Sequence, residues 1–138
     1  IDHGKQAKGG TYAYIVVPGK QTVTQLEDYR KEAFVEIVSN TADLQAVHQK
    51  KLDIWQMVFY RPRTFTHQGL TIQVSKPCAV MLKGTQTDKS TLHVADPGQT
   101  LQPIQINVTL PGKQTQTIHF RPSDNAIYAG ATQAFQLK

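Results

Sequence analysis

A cluster of aromatic and arginine residues near the middle of the chain has the residue types best suited to binding chemistry. It comprises Trp55, Tyr60, Arg61 and Arg63, with Phe59 beside Tyr60. Aromatic faces stack on planar or apolar ring surfaces, and the arginine fork pairs with carboxylate or sulfate groups. The cluster is therefore a candidate site for an acidic carbohydrate. The alternative is that Trp55 and Phe59 are core residues of a central strand, and the apolar run around them favours this alternative.

The histidines and carboxylates are too dispersed to predict a metal site or an acid–base pair. The histidines lie at positions 3, 48, 67, 93 and 119, without the spacing typical of zinc ligands. His93 and His119 could meet across neighbouring strands, but two histidines without a carboxylate make a poor site. No nucleophile or phosphate-binding motif is present. The residues therefore indicate no catalytic centre, and no metal or other cofactor is expected.

Composition and charge narrow the classes of partner. The chain has 138 residues and a net charge of +5, but its positive charges are locally dense only at Lys50-Lys51 and Arg61-Pro62-Arg63. Nucleic-acid binding usually needs a basic stripe interleaved with aromatics, so no nucleic acid is expected as a partner. No apolar run is long enough to predict a membrane span. Cys78 is the single cysteine and lies in an apolar run, which predicts a small buried hydrophobe.

The elements that must position these residues are predicted to be mostly strands. Alternating or continuous apolar runs closed by turns predict strands at Thr11–Val17, Phe34–Val38, Leu44–His48, Leu52–Tyr60, Leu70–Val74, Ala79–Leu82 and Gln133–Leu137. Thr11–Val17 is apolar on both alternations, so we expect it to be covered on both faces. Thr22–Ala33 predicts a short helix capped by Thr24 and Glu27. The expected fold class is all-β, an antiparallel β-sandwich with at most one short helix.

The stretch from Leu92 to Phe120 predicts three more strands arranged as a meander. Its middle run alternates apolar Ile104, Ile106, Val108 and Leu110 with polar Gln105, Asn107 and Thr109. Turns are predicted at Asp96-Pro97-Gly98-Gln99 and at Pro111-Gly112, because proline and glycine preset the backbone there. This pattern indicates a sheet with one polar outer face.

Three passages, in order, resemble the C-terminal part of polysaccharide lyase family 8, the chondroitin, hyaluronate and xanthan lyases. The first is Asp2-His3-Gly4 followed by Gly10-Thr11-Tyr12-Ala13-Tyr14 and Pro18-Gly19. The second is Asn40-Thr41-Ala42 with Gln45-Ala46-Val47 and the run Leu52–Tyr60. The third is Leu92–Gln99, where Gly98 replaces the threonine usual in the family and should loosen the turn. The resemblance covers nearly the whole chain.

This resemblance implies an architecture of an α-helical toroid, a central antiparallel super-sandwich and a smaller C-terminal β-domain. Residues 1–38 would be the last strands of the central domain, and residues 39–138 the C-terminal antiparallel β-domain. The implied partner is the remainder of the parent lyase, its helical toroid and central β-domain. The chain begins at Ile1 rather than methionine, which suggests a fragment or a processed product.

The family cleaves uronic-acid-containing polysaccharides by β-elimination, using asparagine, histidine, tyrosine and arginine residues of its helical domain. None of these maps onto the present sequence, so the resemblance implies a structural portion of a chondroitin- or hyaluronan-type lyase that is not catalytic alone. It also implies a secreted or periplasmic location. Two alternatives remain at this point. One is a carbohydrate-binding module that uses Trp55, Tyr60, Arg61 and Arg63 on an acidic polysaccharide, and the other is a ligand-free adhesion or assembly module.

Overall fold

The chain divides into two compact units, Ile1–Ala33 and Phe34–Lys138. A computed structural model describes residues 12–19, 22–32, 34–87 and 89–138. The motif Asp2-His3-Gly4 and the loop predicted at residues 4–10 lie outside the described residues. None of the described helices is long and apolar enough to cross a membrane. The division into domains at residues 38 and 39 stays a prediction.

The first unit contains helix α1, Val23–Glu32, which confirms the predicted short helix. The helix begins two residues earlier than a cap at Thr24 would place it. The Thr22 hydroxyl accepts a hydrogen bond from the Gln25 backbone N–H at 3.3 Å, and the Gln25 side chain accepts one from the Thr22 N–H at 3.3 Å. This reciprocal pair is a capping box. The prediction that Thr24 and Glu27 cap the helix is wrong, because Thr22 and Gln25 form the capping box and Thr24 lies inside the helix.

The strand predicted at Thr11–Val17 is absent from the described part of that segment. Residues 12–17 have no regular secondary structure, and Tyr14 and Val16 are each 75% exposed. A strand needs a ladder partner for its backbone groups, and none of the described strands pairs with these residues. The apolar alternation is therefore real, but the strand prediction is wrong for residues 12–17.

The second unit is an antiparallel sandwich of two sheets, as predicted. Its strands are β1 Val35–Asn40, β2 Leu44–Gln49, β3 Ile54–Phe59, β4 Arg63–His67, β5 Leu70–Val74, β6 Cys78–Lys83, β7 Thr91–Ala95, β8 Ile104–Thr109, β9 Gln116–Phe120 and β10 Gln133–Gln136. Sheet A has the order β1-β2-β3-β6-β7-β10, and sheet B has the order β4-β5-β8-β9. Short 3-10 turns lie at Lys50–Leu52 and Ala126–Tyr128.

The core lies between the two sheets and follows the period-two alternation. Inward-facing residues of both sheets are almost completely buried, among them Phe59, Leu82, Ile106 and Phe120. Cys78 is 1% exposed and has no disulfide partner, which confirms that it acts as a buried hydrophobe. Alternate burial leaves each sheet with one outer face, and the two outer faces differ in chemistry as described below.

The predicted meander is wrong in its first connection. β7 pairs with β6 and β10 in sheet A, whereas β8 and β9 form a hairpin in sheet B. Residues 96–103 therefore carry the chain from one sheet to the other. As a result His93 and His119 lie in different sheets and do not meet. β4 was not predicted, because Phe65 is its one fully buried residue and polar threonines flank it.

A buried carboxylate organises this crossing. Asp96 is 2% exposed, and its carboxylate accepts hydrogen bonds from the Gly98 N–H at 3.1 Å, the Thr100 N–H at 2.7 Å and the Thr100 hydroxyl at 2.8 Å. The Asp96 backbone N–H donates to the Gly130 carbonyl at 3.2 Å. Gly130 has φ +75°, and a Cβ there would overlap the Asp96 carbonyl oxygen. Only glycine fits at this contact.

The last residues fasten the two sheets together. The Leu137 side chain is 1% exposed, and its N–H donates to the Ser90 carbonyl at 2.9 Å. Lys138 and Gln116 exchange two hydrogen bonds of 2.8 Å, from the Gln116 side-chain amide to the Lys138 carbonyl and from the Lys138 N–H back. Residues that follow β10 of sheet A are thereby joined to β9 of sheet B.

Candidate functional site

Trp55, the central residue of the predicted aromatic cluster, lies in the core. It is 4% exposed on β3 and stacks on His48, with ring centroids 3.8 Å apart and an angle of 10° between the planes. Phe65 approaches its edge at 6.0 Å. Because both ring faces lie within the sandwich, Trp55 cannot offer one to a sugar. The core alternative is confirmed for Trp55 and also for Phe59, which is 1% exposed.

The other three predicted residues meet at the surface around Asp43. Arg61 Nε lies 3.2 Å from one carboxylate oxygen of Asp43, and Arg63 Nη1 lies 3.6 Å from the other. The Tyr60 N–H donates to the Asp43 carbonyl, and the Tyr60 hydroxyl donates to the Gln45 side chain at 3.1 Å. Exposed ion pairs of this kind add little to stability, so the arginines remain available to a ligand. Their role in carbohydrate binding stays a prediction.

The outer face of sheet B is polar throughout. Its outward-facing residues are Thr64, Thr66, Thr71, Gln73, Gln105, Asn107, Thr109, Thr117 and His119. Strand register places Thr64, Gln73, Asn107 and Thr117 in one row across all four strands. The Asn107 amide donates to Gln73 Oε1 at 2.9 Å and accepts from the Thr117 hydroxyl at 2.9 Å. These hydrogen bonds hold the row in a fixed arrangement.

An open groove of about 500 Å³ lies over this row. It is lined by Pro62, Arg63, Thr64, Gln73, Val74, Ser75, Gln105 and Asn107. The Ser75 hydroxyl accepts from the Gln105 backbone N–H at 2.8 Å, which fixes one end of the groove. The lining offers amide and hydroxyl groups that both donate and accept hydrogen bonds. Such a surface can bind a polyhydroxylated ligand, but it brings together no nucleophile and base.

Charge on sheet B has one sign. None of its four strands contains aspartate or glutamate, and the sequence has no carboxylate between residues 54 and 87 or between residues 97 and 123. The strands and their flanks carry Arg63, Lys76, Lys113 and Arg121. A face of this kind favours anions over cations. Asp43, in the turn before β2, pairs with Arg61 and with Arg63 at the start of β4.

The outer face of sheet A carries more apolar residues, together with the polar residues Gln45, Gln49, Gln56, Lys83, Thr91, His93 and Gln136. Its outward-facing apolar residues are Val35, Ile37, Val47, Ile54, Val58, Ala79, Met81, Ala95 and Ala134. Several pair directly across strands, as Ile37 does with Val47 and Val58 with Ala79. Ile37 is 45% exposed. Apolar residues grouped on the middle strands of a sheet face normally pack against another layer.

Metal and acid–base chemistry find no support in the described part of the chain. Across residues 12–19, 22–32, 34–87 and 89–138, no group of three or more histidine, cysteine or carboxylate side chains is placed to hold a metal ion. His48 and Asp53 come together, with Nε2 and Oδ1 3.6 Å apart, but the Thr85 hydroxyl and the Gln86 N–H already bond this carboxylate. The pair therefore shapes the loop after β6.

Apart from Arg63, the residues that line the groove were not singled out from sequence. The alternation in β8 predicted a polar face for Gln105 and Asn107 but not which residues stand beside them. Gln73 and Thr117 join the row only through strand pairing, and pairing partners are separated by up to 34 positions. The clearest usable signal was the long run without carboxylates.

Comparison with known proteins gives a consistent match. Residues 36–105 match the family model described as polysaccharide lyase family 8, C-terminal beta-sandwich domain. The chain is 36% identical over 99 residues to chondroitinase-AC of Pedobacter heparinus, an alignment that covers 72% of this chain and 14% of that protein. It is 29% identical over 137 residues to a hyaluronate lyase of Enterococcus faecalis, covering 99% of this chain and 13% of that protein.

A solved structure of chondroitinase AC lyase matches the fold. The TM-score is 0.75 at 28% sequence identity, and the match covers 86% of this chain and 17% of that chain. The present chain therefore spans about one seventh of the length of the curated relatives named above. The similarity thus concerns a small part of each of these larger proteins.

Proposed function

This chain belongs to polysaccharide lyase family 8, and we propose that it is a non-catalytic C-terminal β-domain that braces a larger glycosaminoglycan lyase. The parent enzyme would cleave uronic-acid-containing chains of the chondroitin or hyaluronan type by β-elimination. Relatives named chondroitinase and hyaluronate lyase support this substrate class. The catalytic residues would lie in the remainder of the protein, in a helical toroid, with a central β-domain between it and this chain.

Apolar residues on the outer face of sheet A carry the proposal of a bracing role. Val58, Ala79 and Met81 lie at the centre of this face, on the two middle strands β3 and β6. These strands are not at an edge of the sheet, so neighbouring strands do not cover their outward-facing apolar side chains. Such side chains are suited to packing against another layer. We assign the preceding part of the same polypeptide as that layer, because the match covers only 14% and 13% of the lengths of the two relatives named above. The polar face of sheet B would remain open.

The proposal is tested with the full-length protein and with the chain alone. Full-length protein should release unsaturated uronide from chondroitin or hyaluronan, followed by ultraviolet absorbance, and the 138-residue chain should release none. Absence of product from the full-length protein with both substrates, or turnover by the chain alone, would refute the proposal. The same proposal implies a secreted or periplasmic location, which cell fractionation would check.

The bracing role has its own test in a matched pair of variants. Val58→Lys puts a charge on the outer face of sheet A, and Thr71→Lys puts the same charge on the outer face of sheet B. We expect Val58→Lys to lower the melting temperature and the activity of the full-length lyase while leaving the separate 138-residue chain folded. Thr71→Lys should leave both unchanged. Equal effects of the two variants would contradict the assignment of sheet A as the packed face.

A further inference from the structure

We propose that the groove on the outer face of sheet B binds a segment of acidic polysaccharide. Gln73, Gln105 and Asn107 would hydrogen-bond to sugar hydroxyl and amide groups, and Arg63 at the rim would attract a carboxylate or sulfate group. The chemical class of this ligand is taken from the proposed function, and the inference rests on that function to this extent. It replaces the aromatic site predicted from sequence, since Trp55 is buried.

The row of polar side chains has the dimensions and rigidity of a binding surface. Three strands spaced by about 4.8 Å give the groove residues Thr64, Gln73 and Asn107 a span of about 10 Å. Asn107 bonds Gln73 on one side and Thr117 on the other, at 2.9 Å each. Because Gln73 Oε1 is held by Asn107, its NH₂ group is left to donate outward. Side chains ordered in this way lose little entropy when a ligand binds.

The charge distribution selects an anionic ligand. No strand of sheet B carries a carboxylate, so the like charge that a polyanion meets at this site is that of Asp43 beside Arg63. Arg63 lines the groove and is 44% exposed, and its one long contact to Asp43 occupies only part of a five-donor fork. The remaining donors can pair with a carboxylate or sulfate group in bidentate geometry.

The lining favours a polysaccharide over a protein or a nucleic acid. Protein interfaces centre on large aromatic or aliphatic anchors, whereas the apolar members of this lining are Pro62 and the buried Val74. Nucleic acid needs several closely placed cations and stacking aromatics, and Arg63 is the single cation of the lining. Amide and hydroxyl groups with one peripheral cation suit a chain of sugars that carries a charge on some of its rings.

The test follows the side-chain amide resonances of the 138-residue chain by NMR during titration. The probes are chondroitin sulfate hexasaccharide, hyaluronan hexasaccharide and neutral maltohexaose. We expect saturable shifts of the Gln73, Gln105 and Asn107 NH₂ signals with an acidic probe, and none with maltohexaose. A response to chondroitin sulfate alone would assign the rim contact to sulfate, and a response to both acidic probes would assign it to carboxylate. Equal binding of maltohexaose would overturn the acidic class.

Variants then locate the site. We expect Asn107→Ala and Arg63→Gln each to weaken binding by about ten-fold, as loss of a hydrogen bond to a charged or ordered polar group does. The matched control is Gln56→Ala, an amide on the outer face of sheet A. If Asn107→Ala does not fold, Gln105→Ala is used, since that side chain makes only a 3.4 Å contact with Asn107. Unchanged affinity in the groove variants, or shifts mapping to Lys50-Lys51, would overturn the proposal.

The two proposals fail in different ways. If the full-length protein cleaves glycosaminoglycan while the groove amides do not respond to either acidic probe, the groove assignment is wrong and the lyase assignment stands. If the groove binds an acidic probe while the full-length protein cleaves neither substrate, the lyase assignment is wrong and the groove is a binding site in its own right.

Discussion

The carboxylate of Asp96 grips Thr100 twice, accepting a hydrogen bond of 2.7 Å from its backbone N–H and one of 2.8 Å from its hydroxyl. Asp96 directly follows strand β7 of sheet A, and Thr100 lies four residues before strand β8 of sheet B. The pair therefore fixes the direction in which the chain leaves one sheet for the other. It also gives the family-like Asp-Pro-Gly-Gln passage a physical function.

Replacing Asp96 by alanine should destabilise the sandwich. The change leaves the Gly98 and Thr100 donors without their acceptor in a buried turn, and we expect a loss of about 2 to 4 kcal/mol in the free energy of unfolding. Urea denaturation of the 138-residue chain measures it. The control is Asp124→Ala, because Asp124 is exposed. Equal midpoints for the two variants would mean that the carboxylate contacts are not stabilising.

Gly130→Ala should be more harmful than Gly112→Ala. Both glycines have positive φ, +75° and +70°, so both substitutions carry a similar backbone penalty of about 1 kcal/mol. At Gly130 the new methyl group would also strike the Asp96 carbonyl, whereas nothing lies within 4 Å of a Cβ at Gly112. We expect Gly130→Ala to cost at least about 2 kcal/mol more than its control. Thermal unfolding that shows the same loss for both would contradict the close approach.

Cys78 should make stability fall at alkaline pH. Burial, with a smaller contribution from the charge of Asp96, raises the pKa of the Cys78 thiol from 9.0 to about 12. Between these pH values the unfolded chain releases the thiol proton and the folded chain keeps it, so unfolding becomes easier by about 1.4 kcal/mol per pH unit at most. Below pH 9 the contribution is constant.

The measurement compares wild type with Cys78→Ala in urea at pH 8 and pH 11. The wild type should lose more stability than the variant over this interval, since other alkaline titrations are common to both. The folded wild type should also resist alkylation at pH 8, because the reactive thiolate is scarce and buried. Parallel losses in the two proteins, or rapid alkylation of the folded chain, would contradict the raised pKa.

Alanine substitutions at Trp55 and Tyr60 should differ in their cost to stability, because Trp55 lies in the core and Tyr60 at the surface. We expect Trp55→Ala to cost about 3 to 5 kcal/mol, since it removes a large buried ring. Tyr60→Ala should cost less than about 1 kcal/mol, because its ring is 48% exposed. Denaturant unfolding compares them, and Trp55 fluorescence should be blue-shifted in the folded chain and insensitive to added glycan. A red-shifted Trp55 emission that added glycan quenches would instead support the hypothesis that Trp55 binds carbohydrate.

Local sequence patterns were sufficient for features that depend on neighbouring residues. The alternation of Ile104, Ile106 and Val108 with polar residues predicted strand β8 and its wet face, and Gly112, with φ of +70°, lies in the turn predicted at Pro111-Gly112. Cys78 and Trp55 were placed in the core because apolar runs surround them.

Features that depend on the choice of partner were not predictable in this way. β7 and β8 both alternate between buried and less buried residues, and this pattern would be the same in either sheet. Their sequences therefore contain no local sign that the two strands belong to different sheets. The row through Gln73 and Asn107 exists because β5 pairs with β8, 34 positions later in the chain. The apolar segment at residues 12–17 shows the same limit, since its pattern predicts a strand without supplying a partner for it.

The two hydrogen bonds between Lys138 and Gln116 have a consequence for the order of folding. Leu137 completes the buried core and β10 pairs with β7, so the sandwich lacks a sheet edge, a core residue and its inter-sheet fastening until residue 138 is available. We therefore expect part of the core to stay exposed until residues 133–138 have paired with the earlier strands. Closure by such sequence-distant contacts is slow, because the entropy of long loops is lost before the contacts form. The native sandwich therefore requires residues 133–138.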